Sequence, residues 1–495
     1  MFKSTERVPG FCLLTLLFGL VLRLLVGFFP YSGEAEPPRF GDYEAQRHWM
    51  ELTVNLPIHD WYSASPGWWP LDYPPLSAYH EYIMGLISQS FDRDSVSIGD
   101  SMGFESETHR TFMRISVLLS ELVVYVPAVY LVSCTMPEKR WRSLVFSAMI
   151  VHPGLIFVDH SHFQYNSVAC GLVLFAVWLL QSSRCFSAAI AYTLSFMFKQ
   201  TFLYYAPIFF AFMLGQALKL PTAQQAIKRV ALLGFCVIGT MGIIIGPLVL
   251  HCTTGACVKE GILVMVMRIF PFNRGIFEDY VANAWIVFSP ILRLRGGDPS
   301  YLGWIRSLST FLTLLSSLLS GLPLLHDPSL ELLPLGLAAG SFSFYLFSVM
   351  VHEKAIVLPL TFVLLSLPTL SKHHQTRGVA IRTTEAALLS MIPLMNTEKS
   401  LVGGFAVFGI AWAFLKFIRA DGDKALSPSE LLPMVFNIIS SFAAVCLVLF
   451  DRPSRYPYLA DLVIATGCFA TFGVAWLNLT FILYSSVRNK NKLVA

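Results

Sequence analysis

Residues 11–29 read FCLLTLLFGLVLRLLVGFF, an unbroken apolar run with one charge, Arg23. A helix of this length and polarity spans the hydrocarbon core of a bilayer. Lys3 and Arg7 precede it, as in a signal peptide, but no small-residue cleavage site follows, so the run reads as a retained first span. Arg23 is costly in lipid, which predicts that it faces protein or reaches an interface.

The same pattern recurs along the chain. Spanning-length apolar stretches fall at 11–29, 114–134, 142–158, 167–182, 184–200, 201–219, 229–250, 303–324, 331–350, 353–371, 380–397, 400–418, 429–450 and 459–486, about fourteen in all. Composition agrees: of 495 residues 55% are hydrophobic, 13% are charged and 40 are Phe, with mean hydropathy +0.61. A soluble chain needs far more charge to cover its surface. The predicted class is an all-α polytopic membrane protein forming a single domain over 1–495. Net charge is only +4, and no basic block suggests a nucleic-acid partner.

Basic residues orient the spans. Lys139, Arg140 and Arg142; Lys219, Lys228 and Arg229; Lys372, Arg377 and Arg382; Lys416, Arg419 and Lys424; and Arg488, Lys490 and Lys492 all fall on one side if both termini are cytosolic. Residues 281–294, followed by Arg295, would invert this order as a span, so they are expected to be interfacial or re-entrant. The opposite, lumenal face then collects a long first loop at 30–113, an amphipathic loop at 251–302, and the junctions 159–166 and 351–354. A long loop with its own motifs is usually functional. The sequon Asn478-Leu-Thr480 lies inside a span. No internal repeat is visible.

These loops carry the chemistry. GDYEAQRHWMELTVNLPIHDWY (41–62) crowds Asp42, Glu44, Arg47, His48 and Glu51 just beyond the first span. In a helix Glu44, Arg47, His48 and Glu51 share a face. Trp49, Trp61, Tyr62, Trp68, Trp69 and Tyr73 suit a membrane interface, and Asp72 precedes Tyr73-Pro74-Pro75, a stiff extended turn. A solvated loop with an aromatic belt is the plainer reading of each residue alone; together they suit a lipid-linked polar substrate. VDHSHFQYN (158–166) holds Asp159, His160, His162, Gln164 and Asn166. Two His and one Asp without a second cluster are weak grounds for a metal; hydrogen bonding to substrate or to a helix end is the expectation. Lys199 and Gln200 lie in apolar surroundings, where a lysine must pair, snorkel or counter a phosphate. RIFPFNRGIFEDYVANAW (268–285) sets Arg268, Arg274, Glu278 and Asp279 among apolar residues, as in a helix lying on the membrane surface whose arginines bind anionic headgroups, or which is simply anchored there. His352, Glu353 and Lys354 meet at a span boundary, where a cluster of ionisable groups often marks a site.

There is no P-loop, GxSxG or strand-linked GxGxxG. Asp421-Gly422-Asp423 resembles a nucleotide-sugar metal motif but stands apart from every other cluster, as a turn does. Nine cysteines cannot all pair, and most sit in apolar runs as small hydrophobes. Cys252 and Cys257 bracket a polar stretch and are candidates for a disulfide if that loop is lumenal.

The motifs GDYEAQRHWME, LDYPPLSAY, GFESETHRTFMR, DHSHFQYN, KQTFLYYAP, RIFPFNRGIFEDYVANAW and VHEKAIVLPL run in order from about residue 31 to 360. Together they resemble the dolichyl-phosphate-glucose glucosyltransferases of glycosyltransferase family 57, which have a GT-C fold. EAQRHW at 44–49 is similar to the branch that adds the first glucose to a nine-mannose, dolichol-pyrophosphate-linked oligosaccharide. Met102, Thr201 and Phe202 depart from the family pattern. The resemblance implies an endoplasmic-reticulum membrane enzyme of N-linked glycosylation. It implies α-1,3 transfer with inversion in the lumen, from dolichyl-phosphate-glucose as substrate, without cofactor or metal. By motif position it makes Asp42 the general base and sets His352 and Glu353 near the reaction centre.

Inverting transfer needs one base to take the proton of the attacking hydroxyl, worth about 10²–10⁴ in rate. The phosphate leaving group needs charge stabilisation rather than an acid; Lys199, Arg274 and His352 are the candidates. No second carboxylate is needed as nucleophile. A raised pKa at Asp42 would favour base strength at neutral pH. The rival readings are the sister branch, which adds the second glucose, and a polyprenyl-lipid transporter, which intramembrane charges also suit.

Overall fold

The computed structural model describes residues 10–38, 40–64, 69–270, 281–292, 300–373, 378–420, 428–450 and 452–494; among them helices dominate and no strand occurs. Arg274, Glu278 and Asp279 lie outside the described residues. Each of the fourteen apolar stretches is helical. Eight belong to helices long and apolar enough to cross a membrane: Glu107–Cys134, Lys139–Phe163, Gln200–Leu218, Ala223–Val249, Gly303–His326, Leu401–Ile418, Glu430–Leu449 and Leu459–Lys490. Four more are the shorter apolar helices Cys12–Val26, Asn166–Gln181, Cys185–Phe198 and Leu333–Phe347.

The remaining two meet neither description, so among the described residues helix length and composition together support eight spans directly rather than fourteen. Residues 353–371 are split into a 3-10 turn, Glu353–Ile356, and two helices, Val357–Leu365 and Leu367–Ser371. Val379–Thr397 carries the pair Arg382–Glu385 at 2.7 Å in its first turns.

Leu333–Phe347 is buried almost all round, as expected of a helix with no polar face. Helices Glu107–Cys134 and Asn166–Gln181 pack backbone to backbone at Gly171, where a Cβ would stand 2.8 Å from the Tyr125 N and Cα atoms. Arg23, on α1 (Gly10–Val26), faces protein. Its guanidinium meets both Glu121 oxygens at 2.6 and 2.7 Å and also donates to the Gly19 and Ile150 carbonyls. His160 reaches the same carboxylate at 2.6 Å.

The bundle has two chemically different ends. At one, Lys219 and Lys490 both reach Asp327, and Lys372 reaches Glu331. These lysines belong to basic loops far apart in sequence, which the charge rule places together. At the other end lies the segment 30–113, which folds into α2 (Asp42–Asn55) and α3 (Pro75–Phe91) rather than an open loop. Pro74 is extended and Pro75 takes the first position of α3, where a missing N–H costs nothing.

Among the described aromatic residues of this segment, Trp49, Trp61 and Tyr62 lie in a core rather than in a membrane belt, and Trp68 lies outside the described residues. Trp49, Trp61 and Tyr62 are 2%, 3% and 5% exposed. They pack with Leu71, Ala78, Leu248, Met265 and Ile269, the last two on the helix Gly255–Ile269. Arg268 ties that helix down by donating to the Tyr62 and Ala64 carbonyls, and Cys252 and Cys257 are disulfide-bonded at its start. The outward face of α3 (Ile83, Leu86, Ile87 and Phe91) is apolar and exposed. Ala284–Leu292 lies at this same end, with Trp285 donating to the Phe347 carbonyl at 2.7 Å.

Gly171→Leu is expected to separate Glu107–Cys134 from Asn166–Gln181 and cost about 1–3 kcal/mol or more, read as a lower thermal midpoint in detergent. An unchanged midpoint would mean that the close approach contributes nothing.

Candidate active site

Asp42 begins α2, at the mouth of the bundle, and three side chains from two segments distant in sequence converge on it. Its Oδ2 accepts from Lys354 Nζ at 2.8 Å, lies 2.8 Å from His162 Nε2, and accepts a short hydrogen bond from the Gln164 amide. Burial alone would push the Asp42 carboxyl up, but Lys354 and His162 beside it hold it well below the usual carboxylate range. It is therefore ionised at every physiological pH, contrary to the raised value that a strong resting base would have.

The VDHSHFQYN stretch is not a loop. Ile156–Phe163 is a wide π-helical turn, completely buried, a form frequent at functional sites. The turn sends its two imidazoles in different directions: His160 to Glu121, and His162 to Asp42 and Glu398, the latter at 2.5 Å. Asp159 ends the turn by accepting from the Asn166 and Ser167 backbone amides. Asn166 in turn donates to Gln164 Oε1 at 2.7 Å, and Lys199 Nζ donates to Gln164 and Asn166 at 2.7 and 2.6 Å. The amide pair thus fixes Gln164 with its NH₂ towards Asp42.

A cavity of about 370 Å³ opens beside Asp42. Trp49, Trp69, Tyr73 and Tyr204 give it aromatic walls; Gln46, Asp72, Gln164, Asn166, Lys199, Gln200, His352 and Lys354 give it polar ones. Lys199 also stands 5.1 Å from the Tyr73 ring centroid, a cation–π distance. Three non-glycine residues around the site, Trp69, Phe163 and Met350, have φ of +37°, +90° and +60°. Backbone strain of this kind persists only where surrounding structure enforces it.

The predicted residues separate into two groups. Asp42, Asp72, Gln164, Lys199 and His352 line the cavity, and His162 stands behind Asp42. Glu44, Arg47, His48 and Glu353 do not line it. As the helical spacing predicts, Arg47 pairs with Glu44 at 2.5 Å and Glu51 at 2.9 Å, and His48 lies 3.1 Å from Glu51. This row grips residues 95–103: Arg47 donates to the Ser95 carbonyl and Ser101 hydroxyl, Gly99 N–H to Glu51, and Gly103 N–H to Glu44. Burial pushes the Glu51 carboxyl up, but His48, the Gly99 N–H and Arg47 bring it down to about 2. The cluster therefore positions α2, and through it Asp42.

One group, Glu398, escaped the sequence reading as a site member, and one, Lys354, was read only as part of the span-boundary cluster with His352 and Glu353. Nothing local distinguishes a lysine that points at Asp42 from one that snorkels. Glu398 stands just past an apolar stretch, and its only sequence signal is a carboxylate at a span boundary.

The family model described as the ALG6, ALG8 glycosyltransferase family matches residues 19–479. A Saccharomyces cerevisiae protein named dolichyl pyrophosphate Man9GlcNAc2 alpha-1,3-glucosyltransferase is 35% identical over 493 residues, covering 92% of this chain and 88% of the relative. A Gallus gallus protein of the same name is 36% identical, covering 79% and 75%. A "probable" enzyme of that name from Arabidopsis thaliana is 34% identical, covering 92% and 86%.

Arg47→Leu leaves Glu44 and Glu51 buried without their cation, and is expected to cost about 3–5 kcal/mol. Thermal unfolding in detergent should show it as a large loss of midpoint. A variant as stable as wild type would dissociate the cluster from the folding of the first loop.

Proposed function

We propose a reaction from one premise: this chain belongs to the ALG6, ALG8 glycosyltransferase family. It transfers glucose to the terminal mannose of Man9GlcNAc2 on dolichyl pyrophosphate, in α-1,3 linkage, as the names of its relatives state for them. The donor is dolichyl-phosphate-glucose, the transfer inverts the anomeric carbon, and neither metal nor cofactor takes part. The enzyme sits in the endoplasmic-reticulum membrane with the Asp42 end in the lumen and both termini cytosolic.

One observation carries the chemistry: Lys354, His162 and Gln164 all converge on Oδ2 of a carboxylate that lines the cavity. Oδ1 is the oxygen left for a sugar hydroxyl. It takes that proton as the hydroxyl oxygen bonds to the anomeric carbon and the phosphate leaves with the old bonding pair. Lys199 and Lys354 supply positive charge where the phosphate gains negative charge, and His352 on the same cavity wall offers it a hydrogen bond. A donor phosphate entering the cavity competes with Asp42 for Lys354. That competition returns basicity to a carboxylate held too acidic at rest. The aromatic walls suit the faces of sugar rings.

Purified protein given dolichyl-phosphate-glucose in the presence of chelator is expected to glucosylate the bare nine-mannose acceptor and not its monoglucosylated form. The opposite preference would move it to the sister activity. Asp42→Asn should lower the rate by about 10²–10⁴ or more while lipid binding persists; normal turnover would remove Asp42 as base. The depressed Asp42 pKa predicts no acid limb in the usual carboxylate range. Lys354→Met takes away a cation, so its activity should begin to fall at higher pH than in wild type. A limb unmoved in that variant would mean that Lys354 does not control Asp42.

A further inference from the structure

One buried carboxylate near the site has no part in this scheme. Glu398 follows the helix Val379–Thr397 and is 9% exposed. Its Oε1 lies 2.5 Å from His162 Nδ1, and its Oε2 is buried without a hydrogen-bond partner. The neighbouring Lys399 is turned to Glu36 at 3.3 Å. Glu398 does not line the substrate cavity. It borders a second cavity of about 370 Å³ with Glu34, Glu36 and Lys399.

Asp42, His162 and Glu398 thus form a continuous carboxylate–imidazole–carboxylate line. The charged groups facing His162 are Asp42 from α2, Lys354 from the Glu353–Ile356 turn, and Glu398; Glu353 stands beside Lys354, and Glu34, Glu36 and Lys399 face Glu398 across the second cavity. Lys199 is engaged by the neutral amides of Gln164 and Asn166. Two carboxylates, Glu398 buried and Asp42 21% exposed, against Lys354 alone leave one negative charge uncompensated, which a low-dielectric surrounding disfavours. Protonating His162 on both ring nitrogens balances the group.

We infer that Glu398 is a positioning residue for Asp42: it keeps His162 in the imidazolium form, so that His162 and Lys354 together hold Oδ2 and leave Oδ1 to the acceptor hydroxyl. This rests on the glucosyl-transfer reading. Glu398 and His162 exchange no proton with substrate. The hydroxyl proton goes to Asp42 and later to solvent through the substrate cavity.

Glu398→Gln keeps the size and a hydrogen bond but removes the charge. His162 then loses its reason to stay protonated, and Asp42 loses a cation. The expected result is an acid limb of kcat/KM for the donor, which reports the free enzyme, moved up by about one pH unit or more, so that this rate constant at a pH just below that limb falls about tenfold. KM for the acceptor should stay within about twofold, because Glu398 lies outside the substrate cavity. Glu398→Asp keeps the charge at a longer reach and should give an intermediate limb, and it carries the test if the amide variant does not fold. An acid limb unmoved in whichever variant folds, including a loss of rate that is equal at every pH, overturns the inference. Wild type that transfers no glucose would instead sink the reaction itself, whereas an active wild type with unmoved variants sinks only the role of Glu398.

Discussion

The Asp42 carboxylate is held by groups that lie 120, 122 and 312 residues away in the chain. A carboxylate only 21% exposed, in a cavity at the end of a helical membrane bundle, has limited water to stabilise it, so its counter-charges come from protein. The first loop, the π-helical turn, Lys199 and its amides, and the turn after Leu333–Phe347 have to arrive at one point for Asp42 to remain ionised there. The end of the bundle is organised by that requirement.

The same rule explains the other buried ions. Arg23 and Glu121 pair deep in the bundle and His160 reaches the same carboxylate, joining α1 to Glu107–Cys134 and the π-helical turn. Glu44, Arg47 and Glu51 form a second ion cluster on α2, two carboxylates on one guanidinium, and their remaining hydrogen-bonding capacity is spent on the backbone and the Ser101 hydroxyl of residues 95–103. Polar groups of α2 that look alike in sequence therefore divide by face. One face grips the loop and orients the helix, while its first residue points into the cavity with Gln46 and Trp49.

Some of the site was legible because several residues are local to one motif. The spacing of Glu44, Arg47, His48 and Glu51 predicts a shared helical face, and the ion pairs lie on it. The spacing is silent on whether that face meets substrate or protein, and it meets protein. The tryptophans of the first loop illustrate the same limit: an amphipathic ring is equally at home at a bilayer surface and in a core, and burial against Gly255–Ile269 decided for the core. Glu398 was invisible because its partner is 236 residues away.

The sequence by itself determined that this is a polytopic helical membrane protein, which stretches are helical, which end carries the basic loops, and which family motifs it bears. Those follow from hydropathy, charge and local spacing, which each segment carries alone. Only the tertiary structure decided that Lys354 and His162 restrain Asp42, that Arg47 belongs to the scaffold, and that the two histidines of the His-x-His motif serve different carboxylates. The reason is physical. Charge compensation in a low-dielectric interior acts over a few ångströms between groups hundreds of residues apart, and no local pattern encodes which of them will meet.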